Sequence, residues 1–487
     1  MKQKMFIGGK WVYSENRKFF PTLNPATEQV IAEFPAGTEE DAKKAIDAAE
    51  KAFGPWSGMP APKRAQILFK AVYLLKQNKE RLARLVSIEM GKVIAEGRGD
   101  VQEAIDIAEY MAGEGRRLFG HTTTSELKNK FCLTVKRPVG VFSLITPWNF
   151  PIAIPAWKIM PALICGNTVV LKPSSDTPLC AAELVKILIK AGVPRGVINM
   201  VTGSGESIGR ELITNKRVRG ISFTGSKATG EFIQKNAGIK KIGLELGGKN
   251  AIIIMDDADL KLALDGTIWG AFGTTGQRCT ACSRIILNQE VEKAFEKMLV
   301  ERTKKLRLGN GLEKRTEIGP LINKRAVEKS RMYSEIGQSE GAKLLIGGEE
   351  TKINKKGFFF KPTIFSRVER KMRIAREEIF GPVLSLLYCS DIEEAVKICN
   401  SIEYGLSSAI YTRDVSKAFF AIEKIEAGIT YINSSTIGAE VQLPFGGVKG
   451  TGSTREAGIE GINEFSETKT VYIDYSGRLQ KAQIDVE

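Results

Sequence analysis

The run Gly140-Val141-Phe142-Ser143-Leu144-Ile145, continued by Thr146-Pro147-Trp148-Asn149-Phe150-Pro151, decides the fold. Its first half is short and almost wholly apolar, the pattern of a strand buried on both faces of a sheet. Its second half is a stiff loop, because proline fixes φ and restricts the residue before it. Outward from this run, residues 168–171, 196–201 and 220–223 repeat the apolar texture, and helical stretches at 178–191 and 207–214 separate them. Strands alternating with helices imply a parallel, doubly wound sheet. A second series follows, with strand-like residues 251–255, 283–287, 408–411 and 428–432 and a helix over 292–306.

The chain upstream is helical. Thr38 reads as an N-cap, and Ala42, Ala45, Ile46, Ala49 and Phe53 follow at helical spacing. Further helices are predicted over 63–77, 80–95 and 101–111. Residues 1–9 lack the apolar core of a signal peptide and read as a first strand. Residues 131–136 and 470–475 are strand-like but lie outside both series, and the polar last dozen residues read as a tail.

At 487 residues the chain is too long for one hydrophobic core, so two or three domains are expected. A formal charge of +15 and a pI near 9.3 would permit nucleic-acid binding. The charges alternate in sign, however, as in Lys79-Glu80-Arg81, which describes a solvated surface, and no nucleic-acid partner is expected. No run approaches the roughly 18 apolar residues that span a bilayer, so no membrane partner is expected and the cytoplasm is the expected location. The seven cysteines, at 132, 165, 180, 279, 282, 389 and 399, form no disulfide framework. His121 is the single histidine, which excludes a His-rich metal site, and no metal is expected.

Nucleophilic chemistry therefore falls to cysteine. Cys279 closes the stretch Phe272-Gly273-Thr274-Thr275-Gly276-Gln277-Arg278-Cys279, whose glycines free the backbone to approach a ligand. The adjacent Arg278 is expected to favour thiolate, which attacks an aldehyde carbonyl and holds it as a hemithioacetal. The bland alternative is an inert core cysteine. With Cys282 it also makes a Cys-x-x-Cys, although no second pair accompanies it. Gly203-Ser204-Gly205-Glu206-Ser207-Ile208-Gly209 and Phe223-Thr224-Gly225-Ser226 are two strand-to-helix junctions suited to a diphosphate, or simply turns that need glycine. Glu245, in Glu245-Leu246-Gly247-Gly248-Lys249-Asn250, is either a general base or the partner of Lys249 in a structural ion pair. Asn149 either donates to an oxyanion or caps a turn.

Taken together with Lys172-Pro173-Ser174, Glu377-Glu378-Ile379-Phe380-Gly381-Pro382 and Pro444-Phe445-Gly446-Gly447-Val448-Lys449, these motifs resemble the non-acylating aldehyde dehydrogenase superfamily over essentially the whole chain. The resemblance implies an α/β fold in three parts. A Rossmann-like cofactor domain takes residues 1–124 and 145–245, and an α/β catalytic domain takes 246–450. A small β oligomerisation element takes 125–144 and 451–487, so a homo-oligomer, dimer or tetramer, is expected.

It further implies that Cys279 is the nucleophile, that Asn149 and the Cys279 backbone N–H form an oxyanion hole, and that Glu245 activates the deacylating water. Lys172 and Glu378 resemble ligands of the two cofactor riboses, Phe380 packs by the nicotinamide, and Trp148 and Ser226 line the adenosine and diphosphate path. Ile145, Thr146, Pro147, Ser174, Ser175, Gly205, Gly209, Phe223 and Gly225 complete the expected cofactor contacts. Phe150, Trp157 and Phe445 fall in the substrate tunnel. A CoA-acylating relative is disfavoured by Glu245, and a non-catalytic member by the intact Asn149, Glu245 and Cys279 set.

Two positions refine the expectation. NAD-preferring relatives carry an acid three residues after the lysine, where this chain has Ser175; NADP is therefore expected to be preferred, with NAD possible. Arg278-Cys279-Thr280-Ala281 resembles dehydrogenases of carboxylate-bearing semialdehydes, with 2-oxoglutarate semialdehyde (2,5-dioxopentanoate) the first expectation. If Arg278 instead pairs with a protein carboxylate, a small neutral aldehyde such as glyceraldehyde or lactaldehyde is the alternative.

Overall fold

The computed structural model describes residues 1–452 and 454–484. The expected alternation resolves into two seven-stranded sheets. The first has the order Lys241–Glu245, Val218–Thr224, Val141–Ile145, Thr168–Lys172, Ile198–Met200, Met5–Ile7 and Lys10–Val12. Its first five strands are parallel, and Met5–Ile7 joins antiparallel. From Val141–Ile145 the chain builds outward on one side, then returns to the other side with Val218–Thr224. Such a reversal opens a crevice at the carboxyl ends of the two strands, the usual nucleotide position in a doubly wound sheet. Ile145 pairs with both Phe223 and Lys172, so the loops after all three strands open along one edge.

The second sheet has the order Lys343–Ile346, Thr363–Ser366, Val383–Cys389, Cys282–Asn288, Asn250–Ile254, Ser407–Tyr411 and Ile429–Ile432, and is parallel except at its first strand. Its central strands are almost wholly buried, which explains their Ile- and Leu-rich runs.

Helix Glu39–Gly58 begins with the expected cap, extended to a full capping box between Thr38 and Asp41. The two helices predicted over 63–77 and 80–95 are one, Ala61–Met90. Nothing between them breaks a helix: the Asn78 side chain donates back to Leu74 O at 2.8 Å, and the stop comes at Gly91, φ 94°. Helix Ile94–Glu114 packs Val101, Ala104, Ile105, Ala108 and Met111 into the core against Ala61–Met90 and Ala153–Cys165. Each larger apolar side chain so buried contributes roughly 1.5–3 kcal/mol. Its other face carries Glu96, Asp100 and Glu103 at helical spacing and fronts a cavity.

The two strand-like outliers pair with each other. Lys130–Pro138 and Ser466–Asp474 run antiparallel in continuous register, with Thr122–Thr124 at the edge. Phe131, Tyr472, Ile473 and Tyr475 are exposed there. Residues 476–484 carry no helix or strand, as the tail reading expected; residues 485–487 lie outside the described residues. No described helix is long and apolar enough to cross a membrane.

Candidate active site

Cys279 stands where two cavities meet. One, of about 420 Å³, is lined by Phe150, Trp157, Glu245, Arg278 and Phe445 among others. The second, of about 250 Å³, is lined by Pro147, Trp148, Asn149, Ser226, Glu378 and Phe380 among others. Cys279, Thr224 and Leu246 line both.

The turn that delivers Cys279 is strained. Thr274 (φ 50°), Thr275 (φ 59°) and Gly276 (φ 70°) are successive left-handed residues, a conformation that costs side-chain-bearing residues energy and needs outside support. That support is present. Thr274 N donates to Glu96 Oε1 at 2.6 Å, Thr275 Oγ1 donates to Gly319 O at 3.0 Å, and Ile322 N donates to Gln277 Oε1 at 2.9 Å. Gly276 is required on two counts, since a Cβ there would also lie 2.4 Å from Gly381 O. The Cys279 carbonyl accepts from Asn250 Nδ2 at 2.7 Å.

Burial pushes the Cys279 thiol up to about 12, with the charges of Glu245, Glu378 and Glu103 acting in the same direction. The expectation that Arg278 favours thiolate is therefore not met. Its guanidinium is engaged by other groups, donating from Nε to Thr274 Oγ1 at 2.8 Å and from Nη2 to Glu96 Oε1 at 3.2 Å. It lies over the rings of Trp269 (4.7 Å) and Phe150 (5.3 Å), and its Nη1 donates to no group among the described residues.

Asn149 is buried and donates from Nδ2 to Gln277 O at 3.1 Å, two residues before Cys279. Its Oδ1 has no partner among the described residues. The amide is thus fixed in the wall of the cavity that Cys279 also lines, with its second N–H unused among the described residues.

Glu245, the last residue of its strand, is buried with Oε1 unpartnered. Lys249 Nζ is also buried and unpartnered among the described residues, so the alternative of a Glu245–Lys249 ion pair is not realised. Burial first, then the charge of Glu456, holds Glu245 well above the ordinary carboxylate range, against the opposing pull of Lys158. Gly446 permits this approach: a Cβ there would lie 2.6 Å from Glu245 Oε1.

Sequence reasoning missed the group behind Glu245. Lys158 Nζ donates to Ser222 Oγ at 2.9 Å and pairs with Glu456, both charged groups buried. Glu464 lies alongside, its carboxyl raised to about 7 by burial and by Glu456. Lys158 sits in an apolar helix, Ala153–Cys165, with few other polar residues; that was the available signal.

Along the sheet edge, Thr146 Oγ1 and Thr224 Oγ1 are buried without partners among the described residues. Lys172, lowered to about 8 by burial, finds among the described residues only Pro173 O for its ammonium, at 3.2 Å. Unsatisfied hydroxyls and an unpaired buried cation at a switch-point crevice fit a phosphate-bearing dinucleotide. Glu378 Oε1 accepts from Gly248 N at 2.9 Å, and Phe380, itself at φ 61°, meets Trp148 edge-on at 5.4 Å. Ser175 Oγ donates to Gly203 O at 3.3 Å, joining the lysine loop to the turn that holds Gly205 and Gly209. Those two glycines lie within the turn Gly205–Gly209, lining neither cavity at Cys279, and nothing approaches where a Cβ would stand. Ser174 Oγ and Asn323 Nδ2 both donate to Asp176, a carboxylate beside Ser175 that the motif comparison passed over. Phe223 packs under Gly225, and Ser226 caps helix Lys227–Asn236.

A cysteine, a carboxylate and an amide line the two cavities beside a crevice whose unsatisfied polar groups suit a dinucleotide. The chain belongs to the aldehyde dehydrogenase family, whose model matches residues 11–471. It is 40% identical to the 2,5-dioxopentanoate dehydrogenase of Saccharolobus solfataricus, over 97% of this chain and 99% of that one. It is 38% identical to the D-glyceraldehyde dehydrogenase (NADP(+)) of Thermoplasma acidophilum, over 98% and 97%. The crystal structure of betaine aldehyde dehydrogenase from Staphylococcus aureus in complex with NAD+ superimposes with a TM-score of 0.96 at 36% identity, covering 98% and 96%. The chain is an aldehyde-oxidising oxidoreductase with the α/β fold of that family.

Proposed function

We propose that this enzyme oxidises a short, carboxylate-bearing semialdehyde, 2-oxoglutarate semialdehyde first, through a thioester on Cys279, using NADP in preference to NAD. Arg278 carries the substrate reading: its Nη1 is free in the wall of the cavity that Cys279 lines, and a distal carboxylate would receive that charge-assisted hydrogen bond. The likeness to the 2,5-dioxopentanoate dehydrogenase supports it. The pairing of Arg278 with Glu96 favours the second reading, a small neutral aldehyde, as in the glyceraldehyde dehydrogenase relative.

Cys279 attacks the aldehyde carbon as its thiol proton passes to water, and the alkoxide forms within reach of the Asn149 amide and the Cys279 backbone N–H. Bound NAD(P) supplies the hydride acceptor. Glu245 takes a proton from the water that hydrolyses the thioester, and Lys158 with Glu456 sets the electrostatics behind it. Lys172, Ser174 and Ser175 hold the adenosine end, where Ser175 accommodates a 2′-phosphate, and Glu378 and Phe380 the nicotinamide end. The division into cofactor (1–124, 145–245), catalytic (246–450) and oligomerisation (125–144, 451–487) parts is supported in outline by the three larger sheets, with two corrections at its bounds: Val141–Ile145 lies at the centre of the first sheet, and Thr122–Thr124 pairs into the third. The exposed Phe131, Tyr472 and Ile473 on the third sheet support a dimer or tetramer. Absorbance at 340 nm with a panel of short aldehydes, with and without a terminal carboxylate, against both cofactors tests the proposal. A preference for neutral aldehydes throughout overturns the substrate assignment.

A further inference from the structure

Helix Ile94–Glu114 turns three carboxylates, Glu96, Asp100 and Glu103, toward the cavity that Cys279 lines. Two have cationic partners: Glu96 pairs with Arg278 at 3.2 Å, and Asp100 pairs with Lys92 at 3.0 Å. Glu103 has neither a hydrogen bond nor an ion pair among the described residues, yet it fronts the same space. It is also near enough to Cys279 for its charge to oppose the thiolate. The paired charges cancel, so the ionisation of Glu103 decides whether this end of the cavity is neutral or negative.

We propose that Glu103 determines specificity at the distal end of the substrate: as a neutral acid it donates a hydrogen bond to a substrate carboxylate, and as a carboxylate it repels one. This rests on the acidic-semialdehyde reading above and adds a proton to it. Arg278 Nη1 and the Glu103 O–H would together hold the tail, and above neutral pH binding would take up one proton. Burial supports the arrangement, raising the Glu103 carboxyl to about 7 with Asp100 and Asp106 adding to the shift and Arg278 and Lys92 opposing it. Both forms are then populated at physiological pH. The other titratable or charged groups on this cavity are Glu96, Asp100, Glu245, Arg278, Cys279 and Glu456, and Lys92 and Asp106 act on Glu103 from beside it.

The experiment is the ratio of kcat/KM for 5-oxopentanoate to that for pentanal, of equal length, measured from pH 6 to 9. Titration of Cys279 and Glu245 affects both substrates and cancels in the ratio. Above pH 7 the ratio should fall about tenfold per unit in the wild type, as the neutral form of Glu103 is depleted. It should be flat in Glu103→Gln, which keeps a donor without the charge. Glu103→Leu separates the two contributions, removing the pH dependence and also lowering the ratio at pH 6. A preference for 5-oxopentanoate whose pH dependence is the same in Glu103→Gln as in the wild type overturns the inference and leaves the substrate reading standing. No preference for 5-oxopentanoate in any of the three proteins at any pH overturns both.

Discussion

Arg278 Nη2 and Glu96 Oε1 lie 3.2 Å apart in the cavity wall, both side chains nearly inaccessible to solvent. The same Glu96 oxygen accepts from Thr274 N at 2.6 Å, so one carboxylate holds both the guanidinium and the strained turn leading to Cys279. Substrate wall and nucleophile are thereby one mechanical unit. Arg278→Ala removes a charge-assisted contact worth about 1.5–3 kcal/mol to an anionic tail. It should lower kcat/KM by about one to two orders of magnitude for 5-oxopentanoate and much less for pentanal. Equal losses on the two substrates would assign Arg278 to supporting the turn alone.

The roles of nucleophile and base separate kinetically. Cys279→Ala should abolish oxidation while retaining cofactor binding, followed by fluorescence titration. Glu245→Gln should release one burst of reduced cofactor per active site and then stall, with acyl-enzyme detectable by mass spectrometry. Steady turnover in either variant contradicts these assignments.

A thiol raised to about 12 is scarcely ionised at neutral pH in the cofactor-free enzyme. Iodoacetamide should therefore alkylate Cys279 slowly at pH 7, and the rate should still be rising at pH 9.5, beyond the range in which an ordinary thiol levels off near 8.5. Peptide mapping against Cys279→Ala assigns the site. A rate that levels off below pH 8 would mean that the thiol is not raised.

Cofactor choice turns on position 175. Ser175→Glu sets a carboxylate where a 2′-phosphate is proposed to lie, and Asp176, already engaged by Asn323 and Ser174, does not serve that purpose in the wild type. The ratio of kcat/KM for NADP to that for NAD should fall at least tenfold, roughly, as expected for like-charge repulsion. An unchanged ratio removes Ser175 from the argument.

The buried pair Lys158–Glu456 has a stability consequence as well as an electrostatic one. Lys158→Met strands a buried carboxylate and should cost about 3–5 kcal/mol, read as a lowered unfolding midpoint. Lys158→Met with Glu456→Gln should recover part of the loss. Glu456→Gln alone should move the acidic limb of kcat to lower pH. The sign follows from Glu456 raising the Glu245 carboxyl: without that charge Glu245 stays ionised, and competent as a base, further into acid.

The parallel strands, the capped helix at Thr38, the turn glycines and the motifs around Asn149, Glu245 and Cys279 were legible in the sequence by itself. Each depends on periodicity, proline and glycine stereochemistry, or the order of residues within a few positions, all local properties of the chain. Tertiary structure alone decided that Arg278 pairs with Glu96, 182 residues away, instead of activating the neighbouring sulfur. It likewise set Lys158 against Glu456 across 298 residues, and left Glu103 without an ion-pair contact among the described residues. A charged group's partner is chosen by distance through space, and its proton affinity by the water it loses. Both are created only when helices and loops from distant parts of the chain close over the site.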